Sequence, residues 1–275
     1  MPHAVIIGGD STIGQALARE AHRRGVSLLR TSRRDSADPD IINLDLSDVS
    51  AIDALSMPSP PCRVYVLAAA TSLRVCEEHP RETARVNVDA VTRLAHRAAA
   101  IGATPVMVST NLVFDGTQAK VSAEAAPNPK TAYGQQKARA ERAVREVDGV
   151  VIRPTKVLPP EPPLLAGWRE ALRRGERVQA FTDLWFAPVP ITALVNSLLE
   201  ANPGIHHLSG KHDMSYYEAA LHIAQRVDAD PGLVVPAKAA DAGIPAAQRP
   251  RHTTLHCDQP FDPWEVLDDA LSLKP

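Results

Sequence analysis

The chain of 275 residues is poor in cysteine, nearly neutral, and without a long apolar run. Its three cysteines, Cys62, Cys76 and Cys257, are odd in number and far apart, with no CxxC pair. That argues against a disulfide scaffold or a cysteine zinc site and fits free thiols in a reducing compartment. A formal net charge of -2 leaves no electrostatic footprint for nucleic acid or an anionic membrane. No apolar stretch reaches the roughly 18 residues of a membrane helix. Met1-Pro2-His3 leads into an apolar strand without the basic region of a signal peptide. The expectation is a soluble cytoplasmic protein. Glu77 and Glu78 have no second acidic cluster spaced to complete an oxygen cage, so no metal is expected. Internal repeats and low-complexity tracts are lacking.

What is present is a rhythm. An apolar content of 44% supports a sizeable core, and the length suggests one or two domains of roughly 150 residues. Residues 4–7 form a short apolar run, residues 8–14 a glycine turn, and residues 13–24 a helix ended by Gly25. Strands are expected at 26–31, 41–44, 63–69, 105–109 and 150–153, and helices at 49–55, 81–101 and 132–147. This alternation predicts an α/β fold, a Rossmann-like doubly wound parallel sheet. After prolines clustered at 154–163 the pattern weakens, with helical segments near 164–174, 191–201 and 215–228 and strand-like pieces at 177–181 and 205–208. The expected division is a dinucleotide-binding domain over 1–154 and a smaller substrate-binding lobe over 155–275, with part of 185–205 returning to the first domain. A second proline cluster lies at 58–61.

The turn after the first strand reads Gly8-Gly9-Asp10-Ser11-Thr12-Ile13-Gly14. Gly8 permits a tight turn, Gly14 permits close helix–strand packing, and the N–H groups around Thr12 and Ile13 open a helix toward a pyrophosphate. The spacing is GxxGxxG with Ser11 as the middle member, and Ser11 could itself donate to a phosphate. The second strand ends in Ser32-Arg33-Arg34, where two guanidiniums suit a ribose 2′-phosphate and favour NADPH over NADH. Asp35 could take the acidic role of an NAD site if the loop is shifted. Asp45-Leu46 follows the third strand. Asp45 could accept from an adenine amino group or cap the next helix. Ala68-Ala69-Ala70 after the fourth strand leaves room for the cofactor.

Ser109-Thr110-Asn111 after the fifth strand, followed by Tyr133-Gly134-Gln135-Gln136-Lys137, points to proton-transfer chemistry. Tyr133 and Lys137 lie one helical turn apart on one face. A neighbouring ammonium is expected to lower a tyrosine pKa from its reference of about 10, making the phenol usable as an acid or base. Thr110 can hold a substrate oxygen against it.

Together these residues resemble the extended short-chain dehydrogenase/reductase superfamily, and within it the dTDP-4-dehydrorhamnose reductase family of sugar-nucleotide reductases. Ser109 to Gly116 (STNLVFDG) is similar to that family's STDYVFDG segment. Pro127-Asn128-Pro129, Tyr133-Gly134, Lys137 and Glu141 resemble its P-x-P…YG-x-x-K-x-x-x-E stretch. Ala69-Ala70-Thr71, Cys76-Glu77 and Val86-Asn87 resemble A-x-T…AE…VN, with Cys76 in place of alanine. Ile152-Arg153-Pro154 and residues 204–210 resemble the later IR and GIYHLSG segments. The resemblance implies a catalytic triad of Thr110, Tyr133 and Lys137, with Tyr133 as proton donor and Lys137 on the nicotinamide ribose. It places Asn87 near the cofactor. It also implies an NADPH-dependent reductase of a keto group on a nucleotide-linked or related sugar. The alternatives are a non-catalytic NADP-binding regulatory subunit, which that family also contains, and a sugar-nucleotide epimerase. The expected partner is a small-molecule substrate, with a homodimer through residues 81–101 and 132–147 as one option. Three departures stand out: Ser11 for the middle glycine, Asn111 for aspartate, and Asp183-Leu184-Trp185-Phe186-Ala187-Pro188-Val189 for D-Q-x-G-x-P-T.

Overall fold

The computed structural model describes residues 3–36, 38, 40–57 and 62–273. The 58–61 proline cluster and the side chain of Cys62 lie outside the described residues. In chain order the elements are β1 (His3–Ile7), α1 (Thr12–Arg23), β2 (Ser27–Ser32), β3 (Ile41–Asn43), α2 (Val49–Ala54), β4 (Cys62–Val66), α3 (Leu73–Glu78) and α4 (Pro80–Ala84). A π-helical segment, Arg85–Ala90, leads into α5 (Val91–Ala100). Then come β5 (Thr104–Val108), a 3-10 turn at Asn111–Val113, α6 (Ala132–Glu146), β6 (Val150–Pro154), β7 (Lys156–Leu158), α7 (Pro163–Arg173), β8 (Val178–Phe181), β9 (Trp185–Phe186), β10 (Pro188–Pro190) and α8 (Ile191–Glu200). The chain closes with β11 (Gly204–Leu208), β12 (Met214–Ser215), α9 (Tyr216–Arg226), β13 (Val234–Ala237) and α10 (Pro263–Leu271).

Seven strands make one sheet in the order β11-β6-β5-β4-β1-β2-β3, and the pairings among the first six strands in sequence are parallel. The short, apolar runs of β1, β4 and β5 are what strands covered on both faces require. Val5, Ile7, Val64, Val66 and Met107 meet Leu94, Ala95, Ala98, Ala140 and Val144 of the helices in one core. The chain runs outward from β1 in one direction through β2 and β3, and in the other through β4, β5 and β6. The order therefore reverses between β1 and β4, where open α/β sheets bind ligands.

The chain divides into two compact units, 1–113 with 127–153 and 194–206, and 114–126 with 154–193 and 207–275. The segment 114–126, placed by its position in the chain within the first domain, groups with the second unit. The second unit has its own core, in which Leu165, Leu172, Phe186, Met214, Ile223 and Leu267 pack together. Its α9 opens with a capping box, Ser215 accepting from the Glu218 N–H while Glu218 accepts from Ser215.

Three elements differ from the expectation. The helix over 81–101 is broken into α4, the π segment and α5, and the wide turn brings Asn87 inward to full burial. The strand at 204–208 extends the large sheet beside β6 instead of belonging to the lobe alone. The helix α10, absent from the expected elements, begins at Pro263, with Asp262 accepting from the N–H groups of Trp264 and Glu265. Its sequence carries a cap and an N1 proline.

Candidate functional site

The glycine turn is a steric necessity. Gly8 has a positive φ of 88°, and a Cβ there would lie 2.8 Å from the Ala68 backbone nitrogen. A Cβ on Gly14 would lie 2.3 Å from the Gly8 carbonyl oxygen. The backbone thus crosses itself closely at the reversal between β1 and β4, and only glycine fits. The turn is tied to β2 through Gly9 N–H donating to the Thr31 carbonyl at 2.8 Å, and to β4 through Ala68 N–H donating to the Ile7 carbonyl at 3.0 Å. Ser11 caps α1: its hydroxyl accepts from Gly14 N–H at 3.0 Å and donates to the Gly8 carbonyl at 2.8 Å. In this structure the Ser11 proton, expected for a phosphate, serves the turn. Thr12 is exposed at the helix start, with Ile13 and Asp10 half-buried beside it.

At the end of β2, Ser32 is buried and its hydroxyl accepts from Arg34 N–H at 2.9 Å, which shapes the bend. Arg33 and Arg34 are exposed, and Arg34 lies 3.9 Å from Asp10. Asp35 is held by Asn43 of β3, which donates to its carboxylate at 3.0 Å. Asp45 does not cap α2. Asp48 does, accepting from Ser50 and Ala51 N–H groups. Asp45 accepts instead from the Ser47 backbone and hydroxyl, both at 2.8 Å, and these bonds hold its carboxyl below the ordinary range. The side chain of Leu46 is in the core.

Beyond β4, Ala68, Ala69 and Ala70 are half-buried. Asn87, expected among the cofactor-binding residues, is tied into the protein by its amide. Its carbonyl oxygen accepts from Ala70 N–H at 2.8 Å, and its amide donates to the Ala70 carbonyl at 2.9 Å and to Gln136 at 2.7 Å. Gln136 in turn donates to Thr83 at 2.8 Å and to the Pro80 carbonyl at 3.1 Å. A buried chain of amides therefore joins the alanine loop, α4, the π segment and α6. Gln136 escaped the sequence reading because a glutamine on a polar-looking helix carries no burial signal.

Thr110 follows β5 and is buried, its hydroxyl accepting from Leu112 N–H at 3.2 Å. Tyr133 and Lys137 lie in the first turns of α6. Thr131 caps that helix, accepting from Gly134 N–H at 3.0 Å, and Glu77 of α3 accepts from Ala132 N–H at 2.8 Å. A Cβ on Gly134 would lie 2.2 Å from the Leu112 carbonyl oxygen. The glycine next to Tyr133 thus lets α6 abut the segment that begins at Thr110. Thr110 lies just past the carboxyl end of β5, and Tyr133 and Lys137 lie in the first turns of the helix leading to β6, in the parallel sheet whose β1 carries the glycine turn at its carboxyl end.

The electrostatics differ from the expectation. Burial, then the neighbouring Cys76, pushes the Tyr133 phenol up to about 12, so it is a neutral donor and not a phenolate. Burial likewise brings Lys137 down to about 8, with Glu141 opposing. Desolvation is the largest cause for both groups. Cys76 is fully buried, and its thiol donates to the Ala70 carbonyl at 3.4 Å. Among the described residues no group of His, Cys, Asp or Glu could hold a metal, and no helix is long and apolar enough to cross a membrane.

A Rossmann-like sheet with a glycine turn at its reversal and a Tyr-x-x-x-Lys helix at the same edge defines a nucleotide-binding α/β class. The chain belongs to the RmlD substrate binding domain family, whose signature spans residues 3–262. It is 29% identical over 93% of its length to methionine adenosyltransferase 2 subunit beta of Bos taurus, of which the match covers 80%. It is 26% identical over 92% of its length to dTDP-4-dehydrorhamnose reductase of Streptomyces griseus, covering 85% of that protein. In three dimensions it is similar to the dTDP-4-dehydrorhamnose reductase of Bacillus anthracis solved with NADP, with a TM-score of 0.84, 18% identity and 99% of each chain covered.

Proposed function

We propose that the chain is an NADPH-dependent reductase of a keto group on a nucleotide-linked or related sugar. The observation that supports this reading is that Thr110 after β5, the helix α6 bearing Tyr133 and Lys137, and the tightly packed glycine turn after β1 all belong to one parallel sheet and its first covering helices. The turn suits a dinucleotide: its glycines let β1, the start of α1 and the Ala68 loop pack closely, and the start of α1 offers N–H groups to a pyrophosphate. Exposed Arg33 and Arg34 suit a 2′-phosphate, while Asn43 holds Asp35 back from the acidic role of an NAD site. The NADP bound to the Bacillus anthracis protein and the name of the Streptomyces griseus relative support the same reading.

When bound, NADPH supplies the hydride. Thr110 would hold the substrate carbonyl oxygen through its hydroxyl, fixing the face presented. Tyr133, protonated well above neutral pH, would give its phenolic proton to that oxygen as negative charge develops. Lys137 would hold the nicotinamide ribose and, as a cation, stabilise the phenolate left behind. The test is a fluorescence titration with NADPH and NADH followed by turnover of keto-sugars by the Tyr133→Phe variant. Preferred NADPH binding with turnover abolished in Y133F and binding retained supports the reading. Near-normal turnover in Y133F sinks it.

A second reading is favoured by the relatives named methionine adenosyltransferase 2 subunit beta. The chain would then be an NADP-binding regulatory subunit. Co-purification with a methionine adenosyltransferase, and no NADPH consumption with any keto-sugar, would select it.

A further inference from the structure

Arg251 belongs to the second unit and takes no part in the chemistry above. It is exposed, and its guanidinium carbon lies 5.2 Å from the centroid of the half-buried Trp185 ring. Among the described residues that guanidinium has no ion pair, and neither it nor the Trp185 indole N–H has a hydrogen-bond acceptor. A cation over a surface aromatic is common, and alone it carries little meaning. Here the surroundings make it a fixed donor.

The segment around Arg251 is tied down at each neighbouring residue. Arg249 donates through Nη1 to Asp183 at 3.0 Å and through Nε to the Ile244 carbonyl at 3.0 Å. Pro250 packs on Gly116 so closely that a Cβ on the glycine would lie 2.2 Å from the proline Cβ. His252 N–H donates to the Gly116 carbonyl at 2.9 Å. Thr253 donates to Asp213 through its N–H at 2.8 Å and its hydroxyl at 2.6 Å. Trp185 is fixed as well: its strand β9 pairs antiparallel with β12, and Phe186 beside it is buried against Tyr216. Backbone and ring therefore hold the stem of Arg251, while its head stays in water.

The carboxylates that bind this segment are engaged elsewhere. Asp183 accepts from Arg249 and from Ala239 N–H at 2.6 Å. Asp213 accepts from Thr253 and stands 3.4 Å from His252 Nδ1. Neither forms an ion pair with Arg251. Stacking uses the flat face of a guanidinium and leaves its in-plane N–H fork free. A planar fork on a fixed base, with a second unpartnered donor in the ring beneath it, suits an oxyanion, and two oxygens of a phosphate match it. A fork already oriented also loses less side-chain freedom on binding than an arginine free in solvent.

We propose that Arg251, held over Trp185, binds a phosphate group, and that for the reductase this is a phosphate of the nucleoside diphosphate that carries the sugar. The identity of the nucleotide rests on the reductase reading. The phosphate site itself does not, and it can be read without turnover.

The experiment is calorimetric titration of the full chain at constant ionic strength, with NADP saturating so that the cofactor site is closed to the probes. The probes are thymidine diphosphate, uridine diphosphate and the two nucleosides. Wild type is expected to bind one of the diphosphates at least about tenfold more tightly than its nucleoside. Arg251→Gln changes an exposed side chain and leaves folding intact. It is expected to weaken that diphosphate about tenfold or more and to leave the nucleoside unchanged. R251K is expected to recover part of the loss, since an ammonium keeps the charge but not the fork. Arg177→Gln, which removes another exposed arginine of the same unit, is expected to change nothing and so controls for net charge. Wild-type affinity for the diphosphate in R251Q, an equal loss in R177Q, or binding of neither diphosphate by wild type overturns the proposal. Diphosphate binding that depends on Arg251, with no keto-sugar reduced, upholds the phosphate site and counts against the reductase reading instead.

Discussion

The junction between α6 and the Thr110 segment can be tested by one methyl group. In Gly134→Ala the new Cβ would meet the Leu112 carbonyl oxygen at 2.2 Å and the Pro129 Cβ at 3.0 Å. Carbon and a carbonyl oxygen rest roughly 3.4 Å apart, so helix and loop must separate by about 1 Å, a typical overpacking displacement. Two effects oppose each other. Alanine gains up to about 1 kcal/mol over glycine in a helix. Overpacking against backbone costs about 1–3 kcal/mol, because neither the capped helix nor the 3-10 turn has a flexible side chain that could move aside. The net expectation is a destabilisation of about 1–2 kcal/mol, seen as a Tm lower by roughly 3–6 °C. The functional effect is larger. A shift of about 1 Å between a proton donor and the group that holds its acceptor can reduce turnover about 100-fold. Gly167→Ala is the control, since Gly167 is exposed within α7 and its Cβ would meet nothing within 4 Å. It is expected to stabilise by about 0.5–1 kcal/mol. Urea unfolding, thermal melting and keto-sugar turnover measure all three quantities. If G134A is as stable and as active as G167A, the packing of α6 on the Leu112 carbonyl does not fix the site, and the reasoning fails.

Lys137→Met is expected to be more stable than wild type at pH 7, by about 1–3 kcal/mol, because it relieves the desolvation of a buried ammonium. With the folded pKa brought down from 10.5 to about 8, the unfolded chain binds more protons between those values. Wild-type stability therefore rises with pH in that window, and the K137M advantage should shrink there. Urea unfolding at pH 7 and pH 10 reads this directly, and an advantage that does not change with pH refutes it. Asn87→Ala leaves the Ala70 N–H and the Gln136 oxygen without their buried partner and the Ala70 carbonyl with the Cys76 thiol alone of its two side-chain donors, so a loss of about 3 kcal/mol is expected, with weakened NADPH binding by fluorescence. Unchanged NADPH affinity would mean that the alanine loop is not held by Asn87. Ser11→Ala removes the cap of α1 and should cost about 1 kcal/mol while leaving NADPH affinity nearly intact. A loss of about tenfold or more in that affinity would show that the hydroxyl turns to a phosphate after all.

What the sequence displays and what it hides divide along a physical line. Backbone geometry is legible: Gly8 and Gly14 mark a crossing that tolerates no Cβ, apolar runs such as residues 4–7 mark covered strands, and Gly25 marks a helix end. Each is enforced locally, by sterics or by hydrophobic period, within a few residues of the signal. Polar interiors are not legible in that way. Gln136 and Asn87 are ordinary amides until the π segment turns Asn87 inward, and their value comes from partners 49 residues apart. Glu141 and Arg153 likewise read as surface charges on α6 and at a strand end, and only the resemblance set them apart. The tyrosine shows the limit most clearly. Its four-residue spacing from a lysine predicts a lowered pKa if both face water, but the same spacing inside a core desolvates both groups and reverses the sign. Spacing fixes who can meet, and burial fixes what the meeting does to charge. The second unit is the least legible part because its polar and cation–π pairings reach across connections. Asp183 reaches the Ala239 N–H and Arg249, and Arg251 lies over the Trp185 ring at 5.2 Å. Neither pairing follows a helical or strand period, so no periodic pattern in the chain announces it.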